Sequence, residues 1–467
     1  MGSRGRGGSA PAKGARPVPL RAGQKVTLTF RAMNADGAAI APAGAQRVSV
    51  PFGIPGEEAL VEIVRGGVRP EGKILTLLRK SPQTIAPRCR HFGVCGGCQW
   101  QHLSYDAQLE HKASLVREQL TPVLDGAAPQ IRPAIGAAPW EYRSRLQAAF
   151  GMRGDKVVAG YYAAAEDLRI INVRECPIQH SENVRAFTAA RDVLAGLDWP
   201  VYDHVSRRGL IRGIIAQTAF ATGEVMVVLS ASREIPDRMA LVRAMRERVP
   251  ALVSLMLSVQ PRHTPDLLGR LSLLWGRAHL EDEIAGVHVR LYPRAATPPN
   301  PRALPVWLDA IMTALSPSPS DTVVDTACEE GLVPLVLARR VRRVVGIAPD
   351  REAMHHAWET ARLNGVDNCV FYTRAPAGVL AKLVMRGERV DAAMVTARGG
   401  PVPPALLAGI AEAGAKRLVC AGSSLSLLAA DLRAAREAGF TVTSVQPVDL
   451  LPQTSKVHCV VSLDRNG

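Results

Sequence analysis

Residues 87–103, "PRCRHFGVCGGCQWQHL", set three cysteines as Cys89-x5-Cys95-x2-Cys98, and a fourth, Cys176, stands far downstream in "RECPIQH" (174–180). Four soft thiolates in a chain that reads as intracellular form a metal site before they form anything else. One tight triplet with a remote fourth ligand suits a cubane 4Fe-4S cluster held between two chain segments, whereas structural zinc usually takes paired Cys-x2-4-Cys knuckles. Gly93, Gly96 and Gly97 fit that reading, because backbone wrapped around a bulky inorganic core needs residues without a Cβ and tolerant of positive φ. Zinc, and cysteines that merely fill a core, stand as the alternatives. Cys328, Cys369, Cys420 and Cys459 sit singly in apolar runs and read as small buried hydrophobes.

On either side of this segment the chain changes character. At 467 residues it is too long for one ordinary core, and three domains are expected after a basic tail. The tail, residues 1–19, has no acidic residue and reads as a solvated arm able to track phosphates, with an organelle transit peptide as the other possibility. Residues 20–80 alternate in short runs ("QKVTLTF", "RVSVPFGIPGEEALVEIV", "EGKILTLLRKS") in the manner of a small OB-like β-barrel. Residues 81–298 carry the cysteines, then a helix with Ser104 as its N-cap, then an α+β domain. Its strands are expected at "YRSRLQAAFGM", "KVVAGYYA", "RIINVREC", "RGIIAQTAF", "EVMVVLSA" and "LVSLMLSV", with a helix after Pro236 that buries Met239 and Met245. From 299 to 467 the period becomes alternating β and α ("DTVVD", "VRRVVGI", "CVFYT", "VDAAMV", "KRLVCAG"). It ends in an antiparallel pair, "FTVTSVQPVDL" and "KVHCVVSLDR", expected as a hairpin edge. This is a doubly wound sheet, whose ligand lies over the strand C-termini.

A formal charge of +15 and a pI near 9.9 point to a polyanionic partner, with RNA in the lead; a simple bias toward arginine is the plain alternative. Arg143, Arg145, Arg212 and Arg398 are the candidate RNA contacts. No apolar run reaches the roughly 18 residues of a membrane span, and no secretory h-region opens the chain, so a soluble, cytoplasmic monomer without a membrane partner is expected.

The barrel, the Cys-x5-Cys-Gly-Gly-Cys run with its distant Cys-Pro, and a last domain containing "DLLPQT" (449–454) together resemble the RNA 5-methyluridine methyltransferases of the 23S rRNA uracil type. "PFGIPGE" (51–57), "YRSRL" (142–146) and "NGVDN" (364–368) strengthen the resemblance, which covers nearly all of the chain after residue 20. It implies an N-terminal TRAM barrel, an iron–sulfur central domain and a class I S-adenosylmethionine-methyltransferase-like Rossmann domain. The chemistry it implies is addition of a cysteine thiolate to uracil carbon 6, methyl transfer to carbon 5, and removal of the carbon 5 proton by a general base.

This chain departs from the family at the residues that would do the work. The family's Ser-Cys-Asn-Pro turn aligns without a gap with "KRLVCAGSSLSLLAADL" (416–432), which sets Ser423 where the nucleophilic cysteine belongs; Cys420 lies three residues early, in mid-strand. His458 takes the place of the glutamate base. In the glycine-rich turn Asp325-Thr326-Ala327-Cys328-Glu329-Glu330-Gly331, Asp325 and Gly331 persist as weak cofactor positions, but Glu329 occupies the first glycine's place. Ala348 replaces the acidic residue for the ribose hydroxyls, with Asp350 two residues late. The Asp-Pro-Pro-Arg segment has become Thr396-Ala397-Arg398, and Phe-x-Gln-x-Asn survives as Asn300 alone. The reading that follows is an RNA-binding iron–sulfur protein, catalytically degenerate, acting on rRNA as a scaffold or assembly factor with S-adenosylmethionine binding in doubt. The alternatives are a working rRNA or tRNA methyltransferase with a rebuilt site and a cluster-based redox sensor.

Overall fold

The computed structural model describes residues 19–124, 130–163, 169–203, 205–296, 299–397 and 399–465. The basic tail up to Val18 and Arg398 lie outside the described residues. The chain divides into two compact units, one ending at Thr84 and the other beginning at Ile85.

The first unit is one sheet of β1 (Lys25–Thr29), β2 (Ala32–Met33), β3 (Ala39–Ala43), β4 (Gln46–Val50), β5 (Glu58–Arg65) and β6 (Glu71–Arg79), in the order β1-β5-β6-β4-β3-β2. Strict alternation builds its core: Ala59, Val61 and Ile63 of β5 point inward against Leu28, Phe30, Val48 and Val50, with Leu60 and Glu62 turned away between them. In "PFGIPGE", the buried Glu57 carboxylate accepts from the Ile54 amide at 3.0 Å and from the Thr84 hydroxyl at 2.8 Å, closing the bend before β5.

The second unit opens with the cysteine segment and α1 (Tyr105–Leu120), followed by the short β7 (Gln130–Ile131). Ser104 does sit at the N-cap of α1, but its side chain makes no capping bond. A seven-stranded sheet follows, in the order β10-β9-β8-β11-β12-β13-β14. Its strands are β8 (Arg145–Arg153), β9 (Lys156–Tyr162), β10 (Ile170–Asn172), β11 (Ile211–Thr218), β12 (Val225–Ala231), β13 (Leu252–Val259) and β14 (Arg270–Gly276), interrupted by α2 (Ser181–Leu197) and α3 (Arg238–Arg248). Asp237 caps α3 by accepting from the Ala240 amide, and Met245 is buried as expected. Met239 is not: it stands 67 % exposed in the first turn, on the face away from the sheet. β15 (Leu280–Ile284) and β16 (Val287–Leu291) then form a separate hairpin.

The remaining elements are α4 (Leu304–Leu315), β17 (Thr322–Asp325), α5 (Leu332–Ala338), β18 (Arg343–Ile347), α6 (Arg351–Leu363), β19 (Cys369–Tyr372), α7 (Pro376–Met385), β20 (Ala392–Thr396), α8 (Pro404–Glu412), β21 (Arg417–Gly422), α9 (Leu425–Glu437), β22 (Thr441–Val448) and β23 (His458–Asp464). Their sheet runs β19-β18-β17-β20-β21-β23-β22-β7, with β17 to β21 mutually parallel and β23 antiparallel to both neighbours. The near-continuous apolar strands, such as Val323-Val324 and Ala392 to Val395, reflect burial on both faces. The antiparallel pair is present but is no edge. β23 inserts between β21 and β22, and β7, from far upstream, pairs parallel with β22 and takes the outer position.

One core joins the two large sheets. Ile215, Met226, Val228 and Met256 from the central sheet share a buried cluster with the β15–β16 hairpin and with Val323, Leu335 and Val344. The opposite face of the central sheet packs Phe150, Ile214 and Val227 under α2 and α3. Each such side chain contributes about 1.5–3 kcal/mol by leaving water. Among the described residues no helix is long and apolar enough to cross a membrane.

Candidate functional site

The C-terminal ends of β17 and β20 open onto a cavity of about 360 Å³. Asp325, 1 % exposed, ends β17, and its Oδ1 accepts from the Ala327 amide at 3.0 Å, which folds the chain back over the strand end. The Thr326 amide and hydroxyl both reach the Met394 carbonyl, so the turn is tied to β20. Glu329 follows with φ +47°, and Gly331 with φ +87° leads into α5. A Cβ on Gly331 would press to 3.1 Å from the Ala357 Cβ. The tight turn of a glycine-rich loop is therefore retained with a glutamate in a left-handed conformation, which is strained for a residue with a side chain. Asp325, Glu329 and Glu330 give the cavity an acidic rim, and Leu304, Trp307, Leu332 and Met394 give it apolar walls.

The other positions expected to grip a cofactor do different work. Ala348 is buried just past β18. The Asp350 Oδ1 caps α6, accepting from the Glu352 amide at 2.7 Å and the Ala353 amide at 3.0 Å. Asn300 is 1 % exposed; its Oδ1 accepts from the Ala303 amide while its Nδ2 has no partner. Thr396 ends β20 on the cavity wall.

The positions expected for nucleophile and base fall at one end of two adjacent strands. Gly422 on β21 opposes Cys459 on β23, so Ser423, just past β21, and His458, which opens β23, lie at the same end of the sheet. Ser423 is exposed in the turn between β21 and α9, whereas Cys420, opposite Val461, is fully enclosed, and burial pushes its thiol well above the ordinary range. His458 lines the cavity. Burial, aided by the Lys112 ammonium, pushes its imidazole down to about 4, and its buried Nδ1 has no hydrogen-bond partner. It is a neutral ring and a weak base.

The cysteine segment lies against the β9–β10 edge of the central sheet: Cys95 bridges to Ala163, and the Gly96 amide donates to the Tyr162 carbonyl. Cys89, Cys95, Cys98 and Cys176 are all free and half-buried, and each lies within electrostatic reach of others in the set. The sulfurs are supplied with donors: the Ile178 and Gln179 amides at Cys176, the Gly97 amide at Cys95, and the Gln101 side chain at Cys98. The Gln101 Oε1 also accepts from the Cys89 amide at 3.0 Å. Burial nevertheless pushes Cys95, Cys98 and Cys176 upward, Cys98 to about 12. Among the described residues no group of three or more His, Cys, Asp or Glu is set to hold a metal ion. Of the three glycines, only Gly93 adopts positive φ, +82°; Gly96 and Gly97 do not need it.

The arginines divide sharply. Arg212, the central residue of the set by burial at 1 % exposed, donates to the carbonyls of Gln260, Arg262 and Thr264 and stacks over Tyr202, so it braces a loop and is not an RNA contact. Arg145 is bound to the Gln217 side chain and the Pro293 carbonyl. The buried Nε of Arg143 has no partner.

Sequence reasoning missed the anchoring of residues 449–454. Lys112 and Asp449, both fully buried, pair at 2.5 Å, and Gln108 exchanges bonds with Gln453. The signal was available: Gln108 and Lys112 fall on the same stripe of α1 as Leu115, Val116 and Leu120, where an amphipathic helix carries apolar residues.

No protein-family model matches the chain. It is 31 % identical over 453 residues to an uncharacterized RNA methyltransferase of Halalkalibacterium halodurans, covering 96 % of this chain and 98 % of that protein. It is likewise 31 % identical over 453 residues to one of Listeria innocua, covering 96 % and 99 %. Among solved structures it resembles the tRNA (uracil-54, C5)-methyltransferase of Pyrococcus abyssi in complex with S-adenosyl-L-homocysteine, with TM-score 0.77 at 19 % identity, covering 94 % of this chain and all of that one.

Proposed function

The chain belongs to the RNA methyltransferases, and from that premise we propose that it is an RNA-binding member that no longer carries out uracil C5 methylation by the thiolate route. The observation that carries this reading is the junction of β21 and β23. Ser423 and His458 fall at the same end of these adjacent strands, and the neighbouring thiols, Cys420 and Cys459, are both buried and pushed upward. An alcohol has no useful alkoxide fraction near neutral pH without a base to take its proton, and an imidazole held near 4 is a poor candidate for that task or for removing the carbon 5 proton.

At the cofactor end, Glu329 brings a carboxylate to the place where the methionine carboxylate of S-adenosylmethionine would approach, and Asp350 is spent on a helix cap. Binding of the methyl donor is therefore weak in this reading. A second reading, an active S-adenosylmethionine-dependent methyltransferase using other groups, is favoured by one observation: the cavity over the strand ends is open, with Asp325 and Gly331 in place.

Cys89, Cys95, Cys98 and Cys176 would hold a 4Fe-4S cluster. A cubane gives each thiolate its own iron, and the four cysteines lie within electrostatic reach of one another. The amide and Gln101 donors at the sulfurs are what an anionic cluster needs. When bound, the cluster would supply positive iron to offset the burial that now disfavours the thiolates.

RNA, in this proposal rRNA, is held electrostatically, through the charge of +15, the TRAM-like residues 20–80 with Lys73, Arg79 and Lys80 exposed on and after β6, and the central and Rossmann domains at 81–298 and 299–467. The protein acts as a monomer. The test is calorimetric titration of S-adenosylmethionine together with RNA binding. RNA affinity that falls with salt, with no heat from millimolar cofactor, supports the scaffold; micromolar cofactor binding supports the enzyme.

A further inference from the structure

The "DLLPQT" stretch is bound more closely to the cysteine segment than its place in the sequence requires. The amides of Gln99 and Trp100, next to Cys98, both donate to the Gln453 carbonyl at 3.0 Å. The Gln453 amide donates to the Gln108 Oε1 at 2.9 Å, and the Gln108 Nε2 returns to the Gln453 Oε1 at 3.1 Å and to the Leu103 carbonyl at 2.9 Å. Lys112 fixes Asp449 and the Leu451 carbonyl, and the Tyr142 hydroxyl donates to the Pro452 carbonyl at 2.8 Å. Gln453 itself is 2 % exposed with φ +68°, a left-handed residue that persists only where its surroundings over-determine it.

Two residues of the same stretch of chain, Leu450 and His458, line the cavity over the strand ends. Gln101 connects the other way, bonding the Cys89 amide and the Cys98 sulfur. A path of short contacts thus runs from Cys89 and Cys98 through residues 99–101 to Gln453, and along the chain from there to one wall of the cavity.

We propose that the cysteine segment is a latch on residues 449–455, so that the state of the four-thiol site sets the position of the cavity wall carrying Leu450 and His458. With the thiols joined in one metal site, residues 99–101 are fixed and Gln453 is held in its left-handed conformation. Without it, the two amide bonds to the Gln453 carbonyl loosen, and the strained residue relaxes. The inference rests on the reading that Cys89, Cys95, Cys98 and Cys176 form one metal site.

The test is amide hydrogen exchange on the full chain, anaerobically reconstituted with ferrous iron and sulfide, against the metal-depleted chain. The amides of Gln99, Trp100 and Gln453 should exchange on the order of ten- to a hundredfold faster after depletion, while β17 to β21 stay protected. Gln108→Leu should make the Gln453 amide fast in both forms without lowering iron content; Tyr142→Phe, a milder change, should do so partially. Equal protection of these amides with and without metal overturns the latch, as does loosening of β17 to β21 in step with them. A chain that takes up no iron at all sinks the four-thiol reading and the latch together, whereas uptake with an unchanged loop sinks the latch alone.

Discussion

Replacing His458 with leucine should remove an acid sensitivity that the wild-type protein owes to this one ring. In the unfolded chain the imidazole titrates near its ordinary 6.5; in the fold, burial and the Lys112 charge hold it near 4. Between those values the unfolded state binds the proton that the folded state refuses, so stability is full above about pH 6.5 and falls as the pH drops toward 4. The interval corresponds to at most about 3 kcal/mol, and because the ring borders the cavity and is incompletely enclosed, about 1–3 kcal/mol is the expected loss. Urea unfolding of wild type and His458→Leu across pH 4–7 measures it. His111, His180, His279 and His356 are also lowered by burial and bend both curves alike, so the difference between the two proteins isolates His458. The variant should also be more stable throughout, since it removes a buried nitrogen without a partner. Parallel curves over that range would show that the imidazole titrates freely, and the argument that His458 is a disabled base would fall with them.

Lys112→Met leaves the Asp449 carboxylate buried with the Leu451 amide and the Tyr105 hydroxyl beside it but without its compensating charge, and should cost about 3–5 kcal/mol in urea unfolding, most of it recovered by Lys112→Met with Asp449→Leu. Glu329→Gly should raise stability by about 1 kcal/mol in thermal unfolding, because the left-handed backbone suits glycine, and should tighten S-adenosylmethionine binding measured by calorimetry. Ser423→Cys should introduce a thiol that reacts with iodoacetamide at least about a hundredfold faster than Cys420, whose burial keeps it protonated. Mass spectrometry of the labelled peptides gives the ratio.

Much of the architecture was legible because it rests on patterns that local physics enforces. The alternating run Ala59, Val61, Ile63 and the doubly buried Val323-Val324 could hardly be anything but strands of two kinds of sheet. What the sequence concealed was pairing at a distance. Nothing in "QI" (130–131) announces an edge strand beside Val445, and the final hairpin gives no hint that its second strand would enter beside β21. The site was half legible: the gapless alignment of 416–432 and the Pro-Gln-Thr stretch put Ser423 and His458 at positions that lie at one end of adjacent strands, but Asp350 as a helix cap and Arg212 as a loop brace depend on backbone groups that become neighbours only in the fold. Glu329 shows the reverse case, a glycine's conformation kept after the glycine is gone.

The central claim is that Ser423, His458 and the sealed Cys420 leave no means of adding sulfur to a uracil ring. Incubating the purified, anaerobically handled protein with rRNA and radiolabelled S-adenosylmethionine tests it directly: RNA should be retained on the protein while no label appears at uracil carbon 5. Labelled 5-methyluridine that disappears on Ser423→Ala or Cys420→Ala would contradict the account.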